Sequence, residues 1–392
     1  MSRPRGIGSG AVMETIRILH TSDVHIGAPF LFLRAKGSEQ RLALRESLAA
    51  IVRIAKEEEY HALVIAGDLF DSAFGASDAD VSFAAGCLAG AGPACRVVIL
   101  PGSHDHFAAG SVYEREQRRF EAGGAVHILT PERRMIEMRD LSLAVHGVAG
   151  VSNVLLESAF SSLAPRGQYR WNVCLAHGSV EGYSAGIEPR EAPLRLAELD
   201  RGFDYVALGH WHSHLVVREK DPPVVYSGSP EIIARDQQGS GFVVSVTLSG
   251  DGARFERIPV GKRRIERRSI DCSLLQSTEE LVRKVLDAAP ADPNLILELS
   301  LDGLLGVESA LDPGRGAVEL ERHYFSVRLV GNGPSREISK EELLGVPEDT
   351  VAGAFIRRML RRIESAPEGK RELYEEALQI GYQLFKGRDL FG

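Results

Sequence analysis

The sequence predicts an α/β protein: a layered β-sandwich core flanked by helices, followed by a small α+β domain and C-terminal helices. Three observations carry that prediction. Short apolar runs alternate with helical patterns early in the chain and then follow one another directly, as in packed sheets with helices outside. Clusters of Asp, His and Gly sit just beyond the apolar runs, at strand carboxyl ends, where α/β sheets bind their ligands. With 392 residues, 44% of them hydrophobic, there is enough apolar material for more than one core.

Element by element, residues 16–19 read as a strand and 40–58 as a helix, with Leu44, Leu48, Ile51, Val52 and Ala55 on one face. Residues 62–66 form an unbroken apolar run, a buried strand stopped by Gly67-Asp68. A weaker helix follows at 78–88, then a strand at 95–100 stopped by Pro101-Gly102. Further strands are expected at 141–146, 172–176, 205–208, 224–226 and 241–248, the last entering a Ser249-Gly250-Asp251-Gly252 turn. Composition changes near 262–268. Beyond it, 278–288 reads as a helix and 294–301 and 324–329 as strands. From 339 the pattern is helical, with one stripe of Ala352, Phe355, Ile356, Met359 and Ile363 and a second of Leu373, Ala377, Leu378, Ile380, Gly381 and Leu384. The expected divisions are a disordered lead-in at 1–14, a core domain at 15–265, a small α+β domain at 266–335 and a helical segment at 336–392.

The four cysteines, Cys87, Cys95, Cys174 and Cys272, lie far apart and form no C-x-x-C pair, which argues against a zinc knuckle and a disulfide framework and fits a reduced cytoplasmic setting. No apolar run approaches a membrane span. The Gly/Ser/Arg-rich opening lacks the apolar stretch of a secretory signal, and Met13 is a natural alternative start. A net charge of −8 excludes a surface that is one continuous nucleic-acid footprint. Local basic clusters remain. Seven basic and two acidic residues lie between Arg254 and Arg268, and Arg357, Arg358, Arg361 and Arg362 form another group. A solvated face is the first reading of each cluster, ahead of a ligand.

Five motifs carry the chemistry: Asp23-Val24-His25, Gly67-Asp68-Leu69-Phe70-Asp71, Gly102-Ser103-His104-Asp105, Ala176-His177-Gly178 and Gly209-His210-Trp211-His212. Singly, each arises by chance. Together they gather five of the chain's twelve histidines beside strand ends. Carboxylate and imidazole are hard or borderline ligands, suited to manganese, magnesium, iron or zinc. A carboxylate shared by two such ions lets them sit about 3.5–4 Å apart, where they hold a phosphate and acidify a water. Asp68, closing its strand, is placed to bridge. Asp23 and His25 lie two apart, so an extended segment points both side chains one way, and His210 and His212 repeat the spacing. The remaining histidines, including His61, His127, His146 and His323, read as structural. His20 and His106, which flank motifs, read first as packing groups.

The run Ile18-Leu19-His20-Thr21-Ser22-Asp23-Val24-His25-Ile26-Gly27, together with Gly67-Asp68-Leu69-Phe70-Asp71, resembles the calcineurin-like metallophosphoesterases, and more narrowly the SbcD-type DNA-repair exonucleases of the YhaO subgroup. Tyr226-Ser227-Gly228-Ser229-Pro230-Glu231 matches their Y-x-G-S-P. The match covers roughly residues 15–250. It implies two divalent metals, manganese first among the candidates. Asp23, His25 and His212 would hold one ion, His177, His210 and position 103 the other, with Asp68 bridging. His104 would stabilise the transition state or protonate the leaving oxygen, Asp105 would orient it, and Asp71 would stand behind the ligands. Two positions depart from the family pattern. Ser103 stands where an Asn is usual, and a hydroxyl is a shorter, poorer neutral ligand than an amide oxygen. Val24 replaces a usual Trp, a change of packing.

The resemblance also implies DNA as substrate, the small domain as a cap over the site, and an SMC-like ATPase of the SbcC or YhaN kind docked on the terminal helices; it leaves room for a homodimer. Two other readings stay open: a phosphomonoesterase or small-molecule phosphodiesterase, favoured by the acidic balance, and a non-catalytic DNA-end-binding scaffold with a metal site weakened at Ser103.

Overall fold

A computed structural model of the chain describes residues 14–152, 159–182, 193–199, 201–235, 239–367 and 369–387. Residues 1–13 of the expected lead-in lie outside them. The chain divides into two compact units, Met1–Ile265 and Glu266–Gly392.

The first unit is a sandwich of two six-stranded sheets. Its strands are β1 (Ile16–Thr21), β2 (Ala62–Ala66), β3 (Arg96–Leu100), β4 (Val126–Ile128), β5 (Met135–Met138), β6 (Leu143–Gly147), β7 (Trp171–His177), β8 (Ser179–Val180), β9 (Pro193–Leu194), β10 (Tyr205–Gly209), β11 (Leu215–Arg218), β12 (Val224–Tyr226), β13 (Phe242–Ser249) and β14 (Gly252–Pro259). One sheet runs β14-β13-β1-β2-β3-β4, the other β11-β12-β10-β7-β6-β5, while β8 and β9 form a separate two-stranded pair. In the first, β1 to β4 are parallel and β13 returns antiparallel against β1. In the second, β6, β7, β10 and β12 are parallel. Parallel strands covered on both faces read as continuous apolar runs, which is why 62–66 and 205–208 show no alternation. Ile18, Val64 and Val98 meet Val145, Val173, Leu175 and Ala207 in the core between the sheets.

Helices α1 (Gly37–Glu57), α2 (Asp78–Ala89), α3 (Val112–Glu121) and α4 (Leu196–Leu199) complete the unit. Ser77 caps α2, its side chain accepting from the Asp80 amide. Sequence reading missed α3. Its run of Glu, Arg and Gln offers only Val112, Tyr113 and Phe120 as buried anchors, too few for a periodic signal. The short strands β4 and β5 were missed for lack of length.

The second unit contains β15 (Arg264–Asp271), which begins at the boundary, with β16 (Asp292–Asp302), β17 (Leu304–Leu305), β18 (Tyr324–Val330) and β19 (Ser335–Arg336). Its helices are α5 (Thr278–Ala288), α6 (Pro313–Leu320), α7 (Lys340–Leu344), α8 (Val351–Glu364) and α9 (Arg371–Phe385). The sheet β15-β16-β18 buries Leu297 and Leu299 against Leu281, Val285 and Leu320 of α5 and α6. A second cluster, Ile338, Leu343, Ile356, Met359, Ile363, Leu378 and Tyr382, holds α7 to α9 together. Among the described residues no helix is long and apolar enough to cross a membrane.

Candidate metal centre

Five loops meet at one end of the sandwich, each following a strand carboxyl end. Residues 22–25 follow β1, 67–71 follow β2 and 102–105 follow β3; β7 ends on His177, and His210 follows β10. Main-chain bonds lock the first two loops together. The Asp23 amide donates to the Gly67 carbonyl (3.0 Å), His25 to Asp68 (3.0 Å) and Ile26 to Leu69 (2.9 Å). The backbone is left-handed at Asp23 (φ 54°), His25 (φ 52°), Asp68 (φ 53°) and His210 (φ 96°). Such positions cost about 1–3 kcal/mol each for a residue with a side chain and persist only where the surroundings force them. The extended geometry expected for Asp23 and His25 is therefore wrong. Both turn back on themselves as the chain wraps against residues 67–69, and His210 does the same.

Two glycines make the close approaches possible. A Cβ on Gly67 would lie 2.0 Å from His177 Nδ1, and one on Gly102 would lie 2.2 Å from Asp68 Oδ1. Any side chain at either place would displace a donor of the centre.

Three overlapping groups bring donor atoms within 4.8 Å of one another: Asp23, His25 and His212; His25, Asp68 and His104; and Asp23, Asp68 and His177. Asp68 Oδ2 lies 3.2 Å from His177 Nε2 and 3.7 Å from His25 Nε2. His25 Nε2 faces His212 Nε2 at 3.2 Å, and His212 Nε2 lies 3.9 Å from Asp23 Oδ1. The Ser103 hydroxyl sits 3.4 Å from Asp68 Oδ2 and 3.3 Å from His177 Nε2, so it reaches the same group despite its short side chain. His210 takes part differently. Its ring packs edge-on to His177 at 5.3 Å, and its amide donates to both Asp23 oxygens (3.0 and 3.1 Å).

Supporting groups fix these donors. Asp71 Oδ1 lies 3.1 Å from His25 Nδ1, and the Ala66 carbonyl lies 2.9 Å from His177 Nδ1, so each ring turns Nε2 inward. His104 is exposed, with Nδ1 3.1 Å from the Asp71 carbonyl and its amide donating to Asp68 Oδ1 (2.9 Å). Asp105 does something other than orient that ring. It is fully buried, and its carboxylate accepts from the amides of Gly102 (2.7 Å), Asp68 (3.3 Å) and Phe70 (3.1 Å) and from the Tyr113 hydroxyl (2.6 Å). It ties loop 67–70 to loop 102–105. Sequence reasoning missed Tyr113 along with α3. It also missed Ser22, whose hydroxyl donates to Asp23 and lies 2.8 Å from that of Ser227. The Y-x-G-S-P match was the only signal for Ser227.

Electrostatics divide the donors. Burial opposes charge on Asp68, yet His177, His25 and His104 hold its carboxyl well below the usual range. Burial pushes the Asp23 and Asp105 carboxyls up, and the Asp68 charge adds to both. Burial also works against a proton on His177, but the charge and hydrogen bond of Asp68, with Asp23 and the Ala66 carbonyl, raise it to about 9. His25 is raised in the same sense by Asp71, Asp68 and Asp23. His210 is lowered to about 4 by burial and by His177, and His212 is lowered by burial and by His25.

Buried carboxylates thus draw positive charge inward, while His210 and His212 stay neutral, the state in which an imidazole binds metal. The paired Nε2 atoms of His25 and His212 make a poor hydrogen bond but a good pair of ligands. The donor set fits divalent cations.

Residues 16–214 match the profile of the calcineurin-like phosphoesterases, and the chain belongs to that family of metal-dependent hydrolases, whose members bind two divalent metal ions. Among its relatives, an uncharacterized metallophosphoesterase YhaO of Bacillus subtilis is 25% identical over 63% of this chain and 61% of its own. A DNA double-strand break repair protein Mre11 of Sulfolobus acidocaldarius is 23% identical over 74% of this chain and 76% of its own. The SbcD component of the nuclease SbcCD of Escherichia coli is 25% identical over 60% of this chain and 65% of its own. The chain thus spans less than two thirds of two of these relatives.

Proposed function

We propose that this chain is a two-metal phosphodiesterase that hydrolyses DNA, with manganese as its preferred ion. The observation that carries the reading is Asp68, whose carboxylate stands where donors from both sheets meet, beneath the exposed His104. Asp23, His25 and His212 would hold one ion, and His177, Ser103 and His210 the other, with Asp68 shared. Bound ions supply Lewis-acid stabilisation of a phosphoryl group and acidify water. The chain's own residues do the rest. Asp71 and the Ala66 carbonyl hold His25 and His177 in one orientation. Nδ1–H of His104 donates to the Asp71 carbonyl, which leaves Nε2 free to meet the phosphate; in the imidazolium form Nε2–H passes its proton to the leaving oxygen and the ring is left neutral.

The names of the Mre11 and SbcD relatives support DNA as the substrate. The SbcD relative is named as one component of a larger nuclease, which supports a second component here, for which an SMC-like ATPase on the terminal helices is the natural choice. Leu373, Leu384 and Phe385 are exposed there. The four free cysteines fit a cytoplasmic setting.

The deciding experiment is hydrolysis of end-labelled single- and double-stranded DNA with manganese titrated in, beside a small aryl phosphodiester, with Asp68→Asn as control. Manganese-dependent degradation of DNA, reduced at least roughly 100-fold by Asp68→Asn, is expected. Cleavage of the aryl ester with DNA left intact would favour a small substrate. Turnover of neither, with metal bound, would favour a scaffold.

A further inference from the structure

Phe74 stands on the loop between the Asp68 motif and α2 and is 57% exposed. A single exposed phenylalanine is ordinary, but this one is held still. The Asp71 amide donates to the Ile26 carbonyl (3.1 Å), and the Val112 amide donates to the Ala73 carbonyl (2.7 Å). The Gly75 amide donates to the Ser72 hydroxyl (2.9 Å), and Ala73 is buried. The backbone on either side of Phe74 is thus pinned, which fixes the point from which its ring projects.

The ring is also tied to the centre. It lies edge-on to His106, with centroids 5.6 Å apart and planes at 76°. His106 Nδ1 in turn lies 3.1 Å from the carbonyl of Ser103, whose hydroxyl reaches Asp68. Three residues before Phe74, the Asp71 carbonyl holds the exposed His104. A water-facing aromatic ring on a pinned backbone therefore stands beside the loops of the centre, buttressed by a second ring.

We infer that Phe74, backed by His106, is a stacking platform for a nucleobase next to the phosphate being cleaved. The inference rests on the nucleic-acid reading above and adds the part of the substrate that the metal centre does not touch. Every base has a π face, so such a platform grips a strand without selecting its sequence. It also favours an unpaired base, because a paired one is already stacked.

The test compares the full chain with Phe74→Ala and Phe74→Trp in manganese. One single-stranded substrate is intact, and another is abasic at the nucleotides flanking the cleaved bond. Phe74→Ala should raise KM for the intact strand roughly 5- to 100-fold, the range of one base–aromatic stack, with kcat little changed. Phe74→Trp should restore it. On the abasic strand, wild type and Phe74→Ala should have the same KM.

Equal losses on both strands would mean a structural role and overturn the platform. An unchanged KM on the intact strand would overturn it too, while manganese-dependent DNA cleavage by wild type kept the nuclease reading intact. If wild type turns over the aryl ester and no DNA, both readings fall together.

Discussion

The first sheet brings all four carboxylates of the centre, Asp23, Asp68, Asp71 and Asp105, along with His25 and His104, whereas the second brings imidazoles alone, His177, His210 and His212. The division follows from what each group needs in order to be buried. A carboxylate removed from water must be met by donors, at a cost of about 1–3 kcal/mol for each bond left unmade and more for a charge. The tightly turned loops after β1, β2 and β3 expose main-chain amides at close range. Asp105 collects three of them, and Asp68 takes that of His104. An imidazole needs only one acceptor behind it and packing around it. For His177 that acceptor is the Ala66 carbonyl, at the end of β2 in the facing sheet. Left-handed backbone serves both sheets: at Asp68 it turns the amide toward Asp105, and at His210 it turns the amide toward Asp23, while at Asp23 and His25 it locks the loop to residues 67–68 through main-chain carbonyls.

The contrast can be probed from its extremes inward. The largest expected effect is at His104, the first-sheet imidazole that faces outward. His104→Ala should lower turnover of a phosphodiester by about 10²- to 10⁴-fold while metal content, read by elemental analysis, stays the same. Loss of bound metal along with activity would make the residue a ligand instead. Next is Asp71, which sets the His25 ring. Asp71→Ala should reduce metal affinity by roughly 10- to 100-fold, measured by calorimetric titration; unchanged affinity would mean that packing alone orients His25. Ser103→Asn asks a finer question by giving the first sheet a longer neutral donor beside His177. About tenfold tighter binding of the second ion equivalent is expected, worth about 1.4 kcal/mol. Weaker binding would show that the serine is the better fit in this pocket.

Two strand ends of the second sheet, at His177 and His210, should part company with pH once chelator has stripped the protein. His177, raised to about 9, contributes stability that is complete below its unfolded value near 6.5 and is lost as pH climbs toward 9. His210, lowered to about 4, contributes stability that is complete above 6.5 and is lost as pH falls toward 4. Urea midpoints should therefore peak near pH 6.5. The alkaline limb should lose on the order of 3 kcal/mol, and added divalent metal should flatten it, because a cation takes over the role of the His177 proton. A midpoint that rises steadily from pH 6.5 to 9 without metal would refute this account.

The strands at 62–66 and 205–208 were legible because burial on both faces leaves an unbroken apolar run, and the motifs were legible because each sits where such a run stops. That Ser103 and His177 would share one side of the centre with Asp68 was an implication of the family resemblance, and both do stand beside Asp68. The turn at Asp23 was not, since left-handed backbone at an aspartate depends on main-chain bonds to residues more than forty positions away, which no local pattern records. The role of Asp105 was hidden likewise: its partners include a tyrosine on a helix too polar to be seen.

Gly67 offers a different kind of handle. The space its absent side chain leaves is the space that the His177 ring fills, 2.0 Å from where a methyl carbon would be. Gly67→Ala would therefore add no charge and remove no donor, yet, at a φ of 99° that strains any residue with a side chain, it would push one imidazole out of register with its neighbours. A laboratory wishing to know whether catalysis here depends on which atoms are present or on where they stand has, in that one hydrogen, a switch that leaves every donor in the chain and moves where they stand.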